Sequence, residues 1–220
     1  MKVAQTLLKG FLFFFALSSS SQNDTIIDLH KSVKKKGLVV FNRKLSLLNE
    51  KMHRGIRLSK DTGEGIAWFK GLEFSEGIIE FDVRGENVKQ HSFVGIAFHG
   101  KDNYTFDAIY FRPFHFLQED TVLKKRSVQY VSWPNYTWQV LREKSPGTYE
   151  NAIALKLDPD AWFNVRVVIK DNIISTYING ADKASLVVKK TSSTKTGSLG
   201  FYVADTSGGD FANIKITKTK

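Results

Sequence analysis

The 220-residue chain has no cysteine. That excludes a disulfide framework, a cysteine nucleophile and any thiolate-held zinc or iron–sulfur site. Histidine is nearly as scarce. The five are scattered, with none of the H-x-x-x-H spacing that sets two imidazoles on one helix face for a metal. Proline occurs four times against sixteen glycines, the balance of a chain that turns often. No apolar pattern of helical period runs beyond two turns, so a helical domain is excluded. Acidic residues are outnumbered, 22 against 32 basic, which leaves a net charge of +10. A basic surface attracts polyanions in general. Here the basic residues are dispersed, with short runs only at 34–36, 124–126 and 189–190. No recognition helix, zinc finger or RNA-binding aromatic motif accompanies them, and nucleic acid is not expected as a partner.

What is present points to a β-rich exported domain. Hydrophobic residues at 42% and charged residues at 25% suit a buried core of ordinary size. Aromatics reach 13%, led by 17 Phe, which favours strands with a bulky core or a ligand face. The first 22 residues read as a signal peptide. Lys2 and Lys9 supply a positive start, residues 10–17 an apolar run led by four Phe, and Ala16-Leu17-Ser18 small residues for cleavage. The apolar run is about half of the ~20 residues that span a bilayer, so no integral span is expected in the mature chain. Residues 23–220 are then one domain, exported to a periplasm or secreted. Alternation bounded by Gly, Asn, Asp and Lys predicts strands over 37–41, 56–58, 65–69, 76–84, 92–99, 106–112, 127–131, 163–170, 173–178, 185–188, 198–203 and 212–217. Asp171-Asn172 joins two of them as a hairpin turn.

The ending Trp162-Phe-Asn-Val-Arg-Val-Val-Ile169, Ile174-Ser-Thr-Tyr-Ile-Asn-Gly180, Gly197-Ser-Leu-Gly-Phe-Tyr-Val203 and Gly209-Asp-Phe-Ala-Asn-Ile-Lys-Ile216 resembles the concanavalin A-like lectin/glucanase superfamily. Phe74-Ser-Glu-Gly-Ile-Ile-Glu-Phe-Asp-Val83 and Phe93-Val-Gly-Ile-Ala-Phe98 agree with it. Within it the chain is most similar to laminin-G-like domains and to 3-keto-disaccharide hydrolase-type domains of exported bacterial proteins. The resemblance implies an all-β jelly-roll sandwich of two antiparallel sheets with a concave face. It is poor for function, because lectins, hydrolases and protein-binding modules share this scaffold. It also implies an occasional calcium ion, for which Asp205 and Asp210 are the carboxylates at hand.

Period-two alternation sorts the remaining candidates. Val94, Ile96, Phe98, Ile109 and Phe111 are expected to face the core. His99, Tyr110, Arg112 and Gln129 are then expected on the opposite face, where their donors and acceptors suit sugar hydroxyls. The small residues Gly95 and Ala97 on that face leave room for a ligand or for a covering loop. Trp133, Tyr136 and Trp138, with Arg142, lie in an irregular insertion over 133–150, where aromatics stack on pyranose faces. Glu143 and Glu150 are the acid–base candidates there. The carboxylates of Glu80-Phe-Asp-Val-Arg-Gly-Glu86 have the wrong spacing for a family-16 glycosidase pair and read as scaffold. The sequence therefore leads to an exported carbohydrate-recognising protein binding glycan on its concave face. The alternatives are a glycoside hydrolase or 3-keto-glycoside hydrolase/lyase-type enzyme and a laminin-G-like protein-interaction module.

Overall fold

A computed structural model describes residues 23–219, so the expected signal segment 1–22 lies outside the described residues. Two antiparallel sheets pack face to face. Sheet I runs in the order β13 (Leu186–Lys189), β12 (Ile173–Ile178), β11 (Phe163–Lys170), β6 (Gly77–Arg84), β15 (Gly209–Lys218), β4 (Arg54–Leu58), β3 (Leu45–Asn49), and β1 (Asn23–Ile26) also pairs with β15. Sheet II runs β10 (Glu150–Asn151), β9 (Val128–Trp133), β8 (Phe106–Phe111), β7 (Val94–Gly100), β14 (Gly197–Val203), β5 (Gly65–Phe74), β2 (Leu38–Phe41). Three short helices lie between strands: α1 (Leu29–Lys34), α2 (Thr121–Lys124) and α3 (Trp138–Lys144). All twelve expected strands are present, with ends moved by a few residues. The sequence reading misses only short pieces, β1, β3 and β10, too brief or too polar for alternation to show.

The strands form where they do because one face of each is apolar. In β11, Phe163, Val165, Val167 and Ile169 are buried while the residues between them stay partly exposed. The inner faces meet through aromatic contacts. Phe201 of sheet II stacks on Phe211 at 4.5 Å and packs against Phe81 at 6.0 Å, and Phe111 meets Phe163 edge-on at 5.2 Å. Each such ring contributes about 2–3 kcal/mol by leaving water. The hairpin turn is as expected: Asp171 and Asn172 adopt φ of 50° and 63°, both left-handed, as a two-residue turn matched to strand twist requires.

The sheets differ in their outer faces. Sheet I shows water its polar residues. Sheet II is buried on both sides through β7, β8 and most of β9. Register aligns two rows across its outer face. One is Glu150, Gln129, Tyr110, Gly95, Tyr202, Ile66, Phe41. The next is Val131, Ala108, Ala97, Gly200, Trp68, Val39. The small residues of the second row make room for the protein's own rings. A Cβ at Gly200 would meet the Trp68 ring at 2.8 Å, and one at Gly100 at 2.5 Å. Phe106 packs on Trp68 at 6.0 Å and on Tyr202 at 5.5 Å.

Candidate functional site

Most of the polar residues read as ligand contacts do converge on the outer face of sheet II. Arg112 donates from Nη2 to the Tyr110 hydroxyl at 2.7 Å and to Gln129 Oε1 at 2.9 Å, and from Nη1 to the Arg126 carbonyl at 2.8 Å. Its guanidinium also lies 4.9 Å over the Tyr110 ring. Beside it, Arg142 donates from Nε and Nη2 to both oxygens of Glu150, at 3.0 and 2.6 Å. Arg112, Tyr110, Gln129 and Glu150 are each more than nine-tenths buried. They therefore form a brace whose donors and acceptors are taken up internally. Glu150 is a link in that brace, and Glu143 is exposed on α3. The nearby His115 is pushed down to about 4, by burial first and then by the charges of Arg112, Arg126 and Arg142.

His99 is not on this face, contrary to the alternation. The pairing of β14 with β7 shifts register here, and His99 has a φ of 53°. This bulge turns the imidazole to the other side. There Nε2 meets the Ser75 carbonyl at 2.7 Å, and Nδ1 lies 3.3 Å from Asp107 Oδ2. Asp107 also accepts from the Tyr130 hydroxyl at 2.8 Å and from Ser192 Oγ at 2.6 Å. Buried Lys190 donates to the Thr194 carbonyl and closes the 190–194 loop.

That buried cluster floors an open pocket of about 310 Å³ at the end of the β8–β9 pair. Register brings Phe106 opposite Trp133, and Asp107 opposite Ser132. Asn135 and Tyr136 rim it on one side, and the hydroxyls of Thr191 to Thr194 on the other. Of the expected aromatics, Trp133 and Tyr136 line this pocket. Trp138 stands on α3, 39% exposed, beneath the Arg142 guanidinium at 4.8 Å. Asn135, Asp107 and the 191–194 hydroxyls are absent from the sequence reading. The dense Thr191-Ser-Ser-Thr194 run is the signal that would have found the last of them.

A further group escapes the sequence reading. Glu64, just before β5, accepts from the Tyr202 hydroxyl on the outer face of sheet II. Burial raises its carboxyl from the usual range to about 7, against the lowering effects of Tyr202 and Arg43. Its charge also bears on Tyr110.

The remaining candidates are accounted for elsewhere. Asp210 is held by Arg57 at 2.6 Å and by Arg84 at 2.6 Å, whereas Asp205 accepts from the Gly63 N–H at 2.7 Å. The two carboxylates expected for calcium thus serve different partners, and among the described residues no group of three metal-ligating side chains comes together. Glu80 pairs with Lys215 at 3.4 Å, and Asp82 accepts from Asn164 and Asn213 at 2.9 and 2.7 Å. These carboxylates brace the outer face of sheet I, in keeping with the scaffold reading. No described helix is long and apolar enough to cross a membrane.

No protein-family model matches the chain, and no curated protein matches it. Solved structures do. The chain is similar to the carbohydrate-binding module CBM66 from Bacillus subtilis, with 15% identity over 82% of this chain and 95% of that one and a TM-score of 0.57. A Bacillus subtilis protein of unknown function with a galectin-like fold is 12% identical over 90% of this chain and 98% of that one, at a TM-score of 0.58. The β-glucanase of Bacillus licheniformis is 15% identical over 84% of this chain and 93% of that one, at 0.50. Together with the two-sheet topology these likenesses show the fold, a jelly-roll sandwich of two antiparallel sheets.

Proposed function

We propose that this protein is exported and binds carbohydrate in the pocket at the end of β8 and β9. The observation that carries the reading is the lining. The aromatic rings of Phe106, Trp133 and Tyr136 stand beside the Asn135 amide and the hydroxyls of Ser132, Ser193 and Thr194, over a floor where Asp107 is held by Tyr130 and Ser192. A sugar ring presents apolar C–H faces and an equatorial fringe of hydroxyls, so it needs a stacking wall and many short polar partners together. At about 310 Å³ the pocket is at the small end of ligand sites and suits one sugar unit. The similarity to a carbohydrate-binding module supports the same reading through the fold. Calorimetric titration of residues 23–220 with a panel of neutral and acidic oligosaccharides tests it. At least one should bind, and Trp133→Ala should weaken it at least tenfold. Absence of binding across the panel would remove the reading.

Glycan cleavage is a second reading, favoured by Glu64. Burial raises this carboxyl to about 7 beside the Tyr202 hydroxyl, the direction that a general acid at a glycosidic oxygen needs. Mass spectrometry of the same panel after incubation tests it: a new product that Glu64→Gln suppresses would establish an enzyme.

A further inference from the structure

The brace on sheet II gathers more cations than anions. Glu150 has three guanidiniums around it: Arg142 in a fork at 3.0 and 2.6 Å, Arg112 at 4.0 Å and Arg126 at 4.0 Å. One carboxylate therefore faces three cations. Arg112 is buried, and its hydrogen bonds go to neutral acceptors, a carbonyl, a hydroxyl and an amide oxygen. The outer two are different. The Arg126 side chain is 30% exposed and the Arg142 side chain 23% exposed. Among the described residues the Arg126 guanidinium makes no hydrogen bond, and Arg142 uses only Nε and Nη2. Lys124 and Lys125 precede Arg126 in the chain. Burial first, and then the charges of Arg112, Arg126 and Arg142, lower the nearby His115 imidazole.

We infer that the Arg126–Arg142 edge receives an anionic group, a carboxylate or a sulfate ester, carried by a glycan that extends from the pocket past Trp138 toward the other end of β9. Both guanidiniums reach solvent and keep N–H donors unused, and such donors are what planar carboxylates and sulfate oxygens take in charge-assisted pairs. Trp138, already beneath Arg142 and 39% exposed, offers the adjoining ring a stacking surface. The inference rests on the carbohydrate reading and narrows it to an acidic glycan.

The test compares galacturonate-containing oligosaccharides, galactose 6-sulfate-containing ones and their neutral galactose counterparts on wild type and on Arg126→Gln. That variant keeps the backbone carbonyl that Arg112 uses and loses only a contact at 4.0 Å, so the brace stays folded. Binding of an acidic form at least tenfold tighter than its neutral counterpart, with the preference lost in Arg126→Gln and reduced by added salt, supports the inference. Uronate preferred over sulfate ester, or the reverse, identifies the group. Equal binding of neutral and acidic forms overturns the inference and leaves the carbohydrate reading standing. Sodium sulfate, titrated alone while the Arg Nε–H signals are followed by NMR, covers the remaining case. Shifts at Arg126 and Arg142 without any glycan binding would keep the anion site and overturn the carbohydrate reading, and no shift and no binding would overturn both.

Discussion

At the β9–β10 side of sheet II, Arg112, Gln129, Tyr110 and Glu150 are each more than nine-tenths buried and tied into one hydrogen-bonded group with Arg142. At the far end of the same strands, Trp133, Asn135 and Tyr136 surround open space above Asp107 and the 191–194 hydroxyls. Both regions hold residue types that suit sugars. In the first the polar groups satisfy one another, because neighbouring strands place their partners within 3 Å. In the second the strands stay paired to their ends, Asp107 is taken up by Tyr130 and Ser192, and the Trp133 and Tyr136 rings with the Asn135 amide and the Ser193 and Thr194 hydroxyls line open space. Chemistry that fits a ligand becomes a site only where the fold leaves its donors and acceptors unclaimed.

Breaking the closed region should cost the most. Arg112→Met strips the Gln129 amide oxygen, the Tyr110 hydroxyl and the Arg126 carbonyl of a buried donor, and removes a cation facing Glu150. Urea unfolding is expected to show a loss of about 3–5 kcal/mol. Sugar affinity of the folded fraction should change little. The converse applies at the open end. Trp133→Ala is expected to weaken glycan binding by ten- to hundredfold, about 1.4–2.8 kcal/mol, with a smaller loss of stability. A large stability loss without a binding change would merge the two regions into one structural face.

A pH series separates the titrating groups of the same face. Glu64 is raised to about 7 in the folded state, so its contribution is present below the unfolded carboxyl value and is lost as pH rises toward 7. His115 is lowered to about 4, so its contribution is present above the unfolded imidazole value and is lost as pH falls toward 4. The two slopes oppose each other between about 4.5 and 6.5. Denaturation of Glu64→Gln across that window is expected to show stability falling toward acid, and His115→Gln the reverse, each by about 1–3 kcal/mol. Parallel curves for the two variants and the wild type would contradict both assignments. The smallest effect belongs to Glu143→Gln. Exposed on α3, it should change stability by less than about 0.5 kcal/mol and glycan affinity less than twofold.

Much of this was legible in the sequence, for physical reasons. Period-two alternation sorted Val94, Ile96 and Phe98 to the core and Tyr110, Arg112 and Gln129 to the other face, because side chains must alternate along a regular strand. The same rule failed at His99, where one bulged residue reverses the count. Whether Arg112 meets solvent or Gln129 depends on strand neighbours that local pattern does not reveal. The raised Glu64 carboxyl depends on burial against Tyr202, 138 residues further along the chain. The pocket's polar wall comes from a loop between β13 and β14, and its aromatic wall from the end of β9, so only the tertiary fold joins them.

An NMR titration of labelled protein with the tightest glycan of the panel tests the division of the face most directly. The account predicts shifts at the Trp133 indole, the Asn135 amide and the Ser192 and Ser193 backbone, with the Arg112 Nε–H and Gln129 side-chain signals unmoved. Shifts centred on Arg112 and Gln129, with Trp133 and Asn135 silent, would contradict it.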